Sequence, residues 1–89
     1  MTRKEIQTRI LAVFAEAFEI DNPDPDDDLR EVHEFDSIDA IELLAEIEKM
    51  LQSELTQDEK KRAMGIRTIN QICDYVESLA ATRLNPGTS

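Results

Sequence analysis

The stretch EFDSIDAIELL, residues 34–44, places Ser37 directly after Asp36 and ahead of an apolar run. A serine hydroxyl can act as a nucleophile, but it then needs a general base and an oxyanion site. The chain has one histidine, His33, four residues before the serine, and no glycine-rich turn of the nucleophile-elbow type surrounds Ser37. The sequence therefore predicts no catalytic residue, and a hydrolase is strongly disfavoured.

Ser37 is better suited to the start of a helix. Either Asp36 or Ser37 can cap the free N–H groups of a first helical turn. A serine in this position is most often only a cap, but here it follows a long loop and begins an acidic helix. If its hydroxyl carried a phosphate ester, the helix N-terminus would favour the negative charge. The position therefore suits covalent attachment of a phosphorylated group.

The acidic run DNPDPDDD, residues 21–28, offers hard oxygen ligands of the kind that calcium prefers. An EF-hand loop needs glycine at its sixth position, and registers that begin at Asn22 or Asp24 do not supply it. We therefore predict no dedicated metal site. The basic run KKR, residues 60–62, is too short to indicate nucleic-acid binding, and we interpret it as a solvated helix face.

Charge is the strongest compositional feature of these 89 residues, which carry 20 acids, 10 bases and a net charge of -10. Residues 16–59 hold 17 of the acids and only Arg30 and Lys49 as bases. Such a surface repels nucleic acids and anionic lipid headgroups and attracts basic protein patches. We predict basic protein partners, no nucleic acid and no membrane insertion; a solvated acidic face without a partner remains open.

The single cysteine, Cys73, allows no intramolecular disulfide and fits a reducing compartment, so we expect a cytoplasmic protein. A lone cysteine within a helical pattern is expected to be a small core residue. Residues 1–20 contain no continuous apolar segment of the signal-peptide type, and no stretch approaches the length of a membrane span. We expect a monomer.

The apolar spacing predicts three main helices and one short helix. The first runs over about residues 3–18 behind a Thr2–Glu5 capping box, and a loop over residues 19–35 follows it. The next begins at Asp36 or Ser37 and ends near residue 52. A short helix over residues 58–64, ended by Gly65, and a last helix opened by a Thr68–Gln71 capping box complete the pattern.

We expect a set of buried side chains in the loop and in two of the predicted helices. In the loop, these are Leu29, Val32 and Phe35. In the helix after Ser37, the buried stripe should contain Ile38, Ile41, Leu44, Ala45, Ile47 and Leu51, with Leu43 and Met50 at its edges. In the last helix, it should contain Ile69, Ile72, Val76 and Leu79, flanked by Cys73 and Tyr75. Asp39, Glu42 and Glu46, at i, i+3 and i+7, form a separate row that we call the acidic ridge.

The segment FDSIDAIELLAEIEKML, residues 35–51, resembles the acyl carrier proteins. The mark of that family is Asp-Ser-Leu at the start of the second helix of a four-helix bundle, followed by an acidic and apolar pattern. Asp36-Ser37-Ile38-Asp39 is similar to it, and the order of elements over residues 2–82 agrees. The resemblance implies an all-α, small four-helix bundle over residues 1–83. The segment LNPGTS, residues 84–89, is expected to be a disordered tail.

The resemblance also implies a function. Ser37 would receive 4'-phosphopantetheine from coenzyme A through a magnesium-dependent phosphopantetheinyl transferase, and the thiol of that arm would carry acyl groups as thioesters. The protein would deliver them to fatty-acid, lipid or polyketide enzymes and would catalyse nothing. The alternative is a small acidic interaction module without an arm. Basic patches on the partner enzymes would contact a set of acidic residues, Asp36, Asp39, Glu42, Glu46 and Glu48.

Three departures from the family pattern point to a specialised carrier. Ile38 replaces the usual leucine and is β-branched, so its packing near the arm should differ. Glu34 stands where glycine is usual and is followed by the bulky Phe35. The connection over residues 53–67 is longer than is common. A peptidyl carrier is disfavoured because the glycine pair that usually precedes its serine motif is missing.

Overall fold

The structure is a computed structural model that describes residues 2–84 and the side chains of residues 2–83. This part of the chain is all-helical, which confirms the predicted class of fold. Its helices, in chain order, are α1 (Arg3–Ala17), α2 (Leu29–His33), α3 (Ser37–Leu51), α4 (Gln57–Ala63) and α5 (Ile69–Leu84). The predicted tail, residues 84–89, lies outside the described residues except for the backbone of Leu84.

Helices α1 and α5 pack against each other and form the centre of the bundle. The predicted capping box at Thr2 and Glu5 starts α1, and that at Thr68 and Gln71 precedes α5. The guanidinium of Arg3 adds hydrogen bonds to α5. The core side chains of the two helices include Ile6, Ile10, Phe14, Ile69, Ile72, Cys73, Val76 and Leu79.

Helix α2 corrects the prediction of a continuous loop over residues 19–35. The Asp28 carboxylate accepts hydrogen bonds from the backbone N–H groups of Arg30 and Glu31, at 2.9 and 3.2 Å, and so caps a short helix. Leu29 is buried as predicted, but Val32 is 56% exposed, contrary to the prediction. The chain turns after α2, so that Phe35 rather than Val32 follows Leu29 into the core.

Helix α3 has nearly its predicted length, but its buried face is rotated from the predicted one. The structure buries Leu43, Leu44 and Ile47, whereas Ile38 is 73% exposed, Ile41 is 62% exposed and Ala45 is also exposed. Apolar residues occupy more of the circumference of α3 than its neighbours cover. The positions of α4 and α5 decide which apolar residues of α3 are buried. The spacing of apolar residues in the sequence does not specify those positions.

Helix α4 begins one residue before its predicted start, behind a Thr56–Glu59 capping box that the sequence analysis missed. The Arg83 guanidinium, from α5, donates hydrogen bonds to Glu59 Oε1 at 2.9 Å and to Glu59 Oε2 at 3.1 Å. The Tyr75 hydroxyl donates to the Glu59 carbonyl at 2.6 Å. These bonds hold the start of α4 on α5. Gly65 follows α4, as predicted, although its φ is not positive.

None of the helices within residues 2–84 combines the length and the apolar content needed to cross a bilayer.

Candidate functional site

Ser37 is the first residue of α3, and its side chain is exposed. The hydroxyl makes no hydrogen bond to any of the residues that the structure describes. The cap of α3 is Asp36, whose carboxylate accepts a hydrogen bond from the backbone N–H of Asp39 at 3.0 Å. Of the two residues that the sequence offered as a cap, the structure therefore uses Asp36 and leaves the Ser37 hydroxyl free.

The bond is reciprocal: the Asp39 carboxylate accepts a hydrogen bond from the backbone N–H of Asp36 at 3.3 Å. This capping box spans Ser37 and satisfies two of the four N–H groups that a helix start leaves unpaired. The backbone N–H groups of Ser37 and Ile38 are the other two, and neither has an acceptor within residues 2–84. An anion bonded to the serine oxygen would meet two unpaired donors and the positive end of the helix dipole.

Phe35 anchors the chain just ahead of the serine. Its ring stacks on Phe14 with centroids 5.4 Å apart and meets Phe18 edge to face at 5.3 Å. Phe14 and Phe18 contact each other at 5.2 Å, so three rings form one cluster between α1 and the start of α3. Phe35, the bulky residue noted above as a departure from the family pattern, therefore fixes the position of the chain just before Ser37.

Glu34, the other departure in this stretch, has a left-handed backbone with φ 55° and ψ 31°. Glycine adopts this conformation without strain, whereas a residue with a Cβ does so at a cost. The turn is closed by the Glu34 and Phe35 N–H groups, which both donate to the Leu29 carbonyl. The left-handed geometry is thus present in this chain although the residue there is glutamate.

The long loop before the site is attached to the beginning of α5. The Leu29 N–H donates to the Arg67 carbonyl at 2.7 Å, and the Asn70 N–H donates to the Pro25 carbonyl at 3.1 Å. The Asn70 side chain also donates to Asp26 at 2.7 Å. These bonds connect the acidic loop to the bundle, and through α2 they support the turn that presents Ser37.

The five predicted recognition residues have different surroundings. Asp36 and Asp39 are engaged in the capping box, and the Glu46 carboxylate lies 3.3 Å from the Lys49 ammonium. The Glu48 carboxylate accepts from the Leu55 N–H at 2.8 Å. Glu42 is exposed, and its carboxylate has no partner among the described residues. Glu42 is therefore the acid of this group that is free to pair with another molecule without losing a contact.

His33 does not form a catalytic pair with Ser37. Its Nε2 atom lies 3.6 Å from Asp27 Oδ2, and no hydrogen bond joins the imidazole to the serine. Within residues 2–84, no three His, Cys, Asp or Glu side chains come together in an arrangement that could hold a metal ion. Cys73 is fully buried, and this burial raises the pKa of its thiol, as expected of a core residue.

A groove runs between α3 and α4. It has a volume of about 450 Å³, and its α3 side includes Ile41, Leu44 and Glu48. Those residues follow Ser37 at i+4, i+7 and i+11, so the groove lies in line with the serine along one face of α3. The sequence placed Ile41 in the buried stripe, so apolar periodicity gave no signal of this groove.

Comparison with known proteins agrees with this arrangement. Residues 8–76 match the family model described as a phosphopantetheine attachment site. The chain is 35% identical over 83 residues to acyl carrier protein 2 of Ralstonia nicotianae, a match that covers 91% of this chain and 99% of that protein. It is 32% identical over 78 residues to an acyl carrier protein of Rubrobacter xylanophilus, covering 85% of this chain and 93% of that protein.

No solved structure matches the chain significantly. The family match spans most of the chain and includes the first turn of α3, where the free hydroxyl lies. The two relatives are aligned over nearly their whole length. The chain therefore belongs to the acyl carrier proteins, which carry acyl groups on phosphopantetheine and are not catalysts.

Proposed function

We propose that Ser37 is the residue to which phosphopantetheine is attached. The observation that carries this proposal is the exposed Ser37 hydroxyl, which has no hydrogen-bond partner within residues 2–84 and lies beside the two unpaired N–H groups of Ser37 and Ile38. Because Asp36 supplies the helix cap, modification of the serine oxygen would break no hydrogen bond among the residues that the structure describes. The donors are suited to the phosphate oxygens of the ester.

Attachment forms a bond between Ser37 Oγ and the phosphorus of the pantetheine phosphate and breaks the pyrophosphate bond of coenzyme A. Adenosine bisphosphate leaves, and the hydroxyl proton is lost. A separate magnesium-dependent phosphopantetheinyl transferase supplies the catalytic groups for this step. The terminal thiol of the bound arm supplies thioester chemistry, and the chain itself positions the arm at the end of α3.

We further propose that the exposed acids around the serine are recognised by basic patches on the transferase and on the enzymes that load and use the acyl group. Glu42 should contribute most, since it has no partner among the described residues. Asp36, Asp39, Glu46 and Glu48 take part while keeping their internal contacts. Exposed charge pairs of this kind are weak and sensitive to salt, which permits rapid release between enzymes.

The proposed setting is a biosynthetic system that makes fatty acids, other lipids or polyketides, with this carrier acting as a cytoplasmic monomer. The lone, buried Cys73 fits a reducing compartment. The net charge of -10 opposes association with nucleic acids and anionic membranes. The departures at Glu34, Phe35 and Ile38 favour a specialised carrier over a housekeeping one.

The test is the intact mass of the protein after incubation with coenzyme A, magnesium and a transferase of broad specificity. We expect the mass to increase by one phosphopantetheine, and we expect no increase in Ser37→Ala. That variant should stay folded, because the hydroxyl has no partner to lose. No increase in the wild type, under conditions that modify a known carrier, would instead favour an acidic interaction module without an arm.

A further inference from the structure

The groove between α3 and α4 combines an apolar floor with two basic side chains. Its apolar residues come from both helices, and Lys60 and Lys61 line it from the α4 side. Methylene groups in the groove would be removed from water, which stabilises a bound hydrocarbon segment. A groove that bound only apolar groups would not be expected to contain two ammonium groups. The apolar lining consists of Ile41, Leu44, Ala45 and Met64.

The groove is within reach of a group attached at Ser37. A helix rises by about 1.5 Å per residue, so Ile41 lies roughly 6 Å and Glu48 roughly 16 Å along α3 from the serine. Because these residues share one face with Ser37, an arm that folds back along α3 passes over the groove. The far end of an acyl group would then lie beside α4.

The basic run on α4 is divided between two sides of the helix. Arg62 points to α5, where it donates to the Ser78 hydroxyl at 3.2 Å and lies over the Tyr75 ring at 5.8 Å. Lys60 and Lys61 line the groove instead, and no carboxylate of the described residues lies within 4 Å of either ammonium. The interpretation of this run as a uniformly solvated face is therefore incomplete.

One carboxylate, that of Glu48, also lines the groove. It accepts a hydrogen bond from the Leu55 N–H at 2.8 Å, so it already has a partner. Gln57, the remaining lining residue, is neutral. Two unpaired cations therefore face one engaged anion, and the groove is locally positive on a protein whose net charge is -10.

We propose that this groove selects acyl groups that bear a carboxylate at the end remote from the thioester. The methylene segment would lie on Ile41 and Leu44, and the carboxylate would pair with Lys60 and Lys61. This inference rests on the proposed function, because it requires an arm at Ser37, and it adds the class of cargo. A chain that ends in a methyl group would leave both ammonium groups without an anion.

The experiment compares two cargoes on the same protein. Adipoyl and hexanoyl groups have equal chain length and differ in the terminal carboxylate. Each is loaded from its coenzyme A thioester by a transferase of broad specificity, and loading is checked by intact mass. The rate of thioester cleavage by hydroxylamine is then measured and divided by the rate for the same thioester on free pantetheine. This ratio reports how far the protein shelters each cargo.

We expect the adipoyl thioester to be sheltered about two- to fivefold more than the hexanoyl thioester, as an exposed ion pair allows. In Lys60→Gln/Lys61→Gln the two cargoes should be sheltered equally. Lys4→Gln, which removes an exposed lysine of α1, is the matched control and should keep the difference. Added salt should reduce the difference in the wild type, because exposed pairs are screened.

A second measurement does not depend on any variant. Amide chemical shifts of Ile41, Lys60 and Lys61 in the wild type should differ between the adipoyl and hexanoyl forms. Equal shifts, or equal sheltering of the two cargoes in the wild type, would overturn the inference while leaving Ser37 as the attachment site. A preference that persists in the double variant would overturn it too. Failure to load any arm would reject the proposed function and this inference with it.

Discussion

Asp36 and Asp39 cap each other across Ser37, each carboxylate accepting a hydrogen bond from the backbone N–H of the other residue. The reciprocal bonds fix the first turn of α3 and leave the serine hydroxyl and two N–H groups unused. Because we propose that partner enzymes recognise these acids, each would have a structural role and a recognition role at one position. Substitutions that change charge and capping separately can distinguish the two.

Asp36→Ala should lower the free energy of unfolding by about 1 kcal/mol, because it removes the cap of α3. Asp36→Asn should cost only a few tenths of a kcal/mol, since asparagine caps equally well but carries no charge. Urea melts measure both. If Asp36→Asn also slows phosphopantetheine transfer at unchanged stability, the charge itself is recognised; equal stability losses in the two variants would contradict the capping role.

Glu34→Gly should raise the free energy of unfolding by about 1 kcal/mol, because Glu34 has a left-handed backbone that costs a residue with a Cβ about that much. The matched control is Glu31→Gly within α2, which should instead lower it by about 1 kcal/mol. Thermal and urea melts of the two variants would give opposite signs. A loss of stability in Glu34→Gly would show that the glutamate side chain matters more than its backbone strain.

The stability of the protein should depend on Glu59 at acidic pH. Hydrogen bonds from the Arg83 guanidinium and from the Thr56 backbone lower the pKa of Glu59 from 4.5 to about 2. Because the folded pKa lies below the unfolded one, the contribution is complete above about pH 4.5 and decreases as the pH falls towards 2. The wild type should therefore lose stability over this window.

Glu59→Gln isolates that contribution, because glutamine can keep the capping box with Thr56 and can still accept a hydrogen bond from Arg83 but forms no ion pair with it. We expect it to be about 1 kcal/mol less stable than the wild type at pH 7, because a hydrogen bond to a charged group contributes about that much more than a neutral one. The difference should shrink as the pH approaches 2. A difference that is constant with pH would exclude the ion pair as its source.

Ile72→Ala should destabilise the protein by about 2 to 5 kcal/mol, because Ile72 is fully buried in the core between α1 and α5. Ile38→Ala is the control and should cost less than about 0.5 kcal/mol, since Ile38 is 73% exposed. Denaturant melts measure both. Equal costs would mean that burial does not distinguish these two positions.

Glu42→Lys should reduce kcat/KM for transfer and for partner enzymes by up to about tenfold at low salt, because it replaces an exposed acid by a base. Helix content should be unchanged, as the Glu42 carboxylate has no hydrogen bond or ion pair within residues 2–84 to lose. Glu16→Lys on α1 makes the same change in net charge and should have little effect. Equal kinetics for the two variants would argue against recognition at the acidic ridge.

Several features of the fold were predictable because the interactions that specify them are local. Thr2 with Glu5, and Thr68 with Gln71, lie three residues apart and cap their helices as the pattern predicts. The sequence did not predict α2, because the segment that follows the Asp28 cap is too short for its apolar residues to show helical periodicity. The Thr56–Glu59 box was missed within a connection whose polar composition concealed it.

The resemblance of residues 35–51 to the acyl carrier proteins indicated a carrier. The residues themselves determined an all-helical protein with an acidic surface, an aspartate–serine pair at the start of a helix, and the buried stripe of α5. These follow from spacing, charge and capping, which act over a few neighbouring residues. The tertiary structure decided that Ile38 and Ile41 are exposed and that Lys60 and Lys61 face a groove. Those features depend on which helix lies beside α3, a packing relationship between residues far apart in the chain.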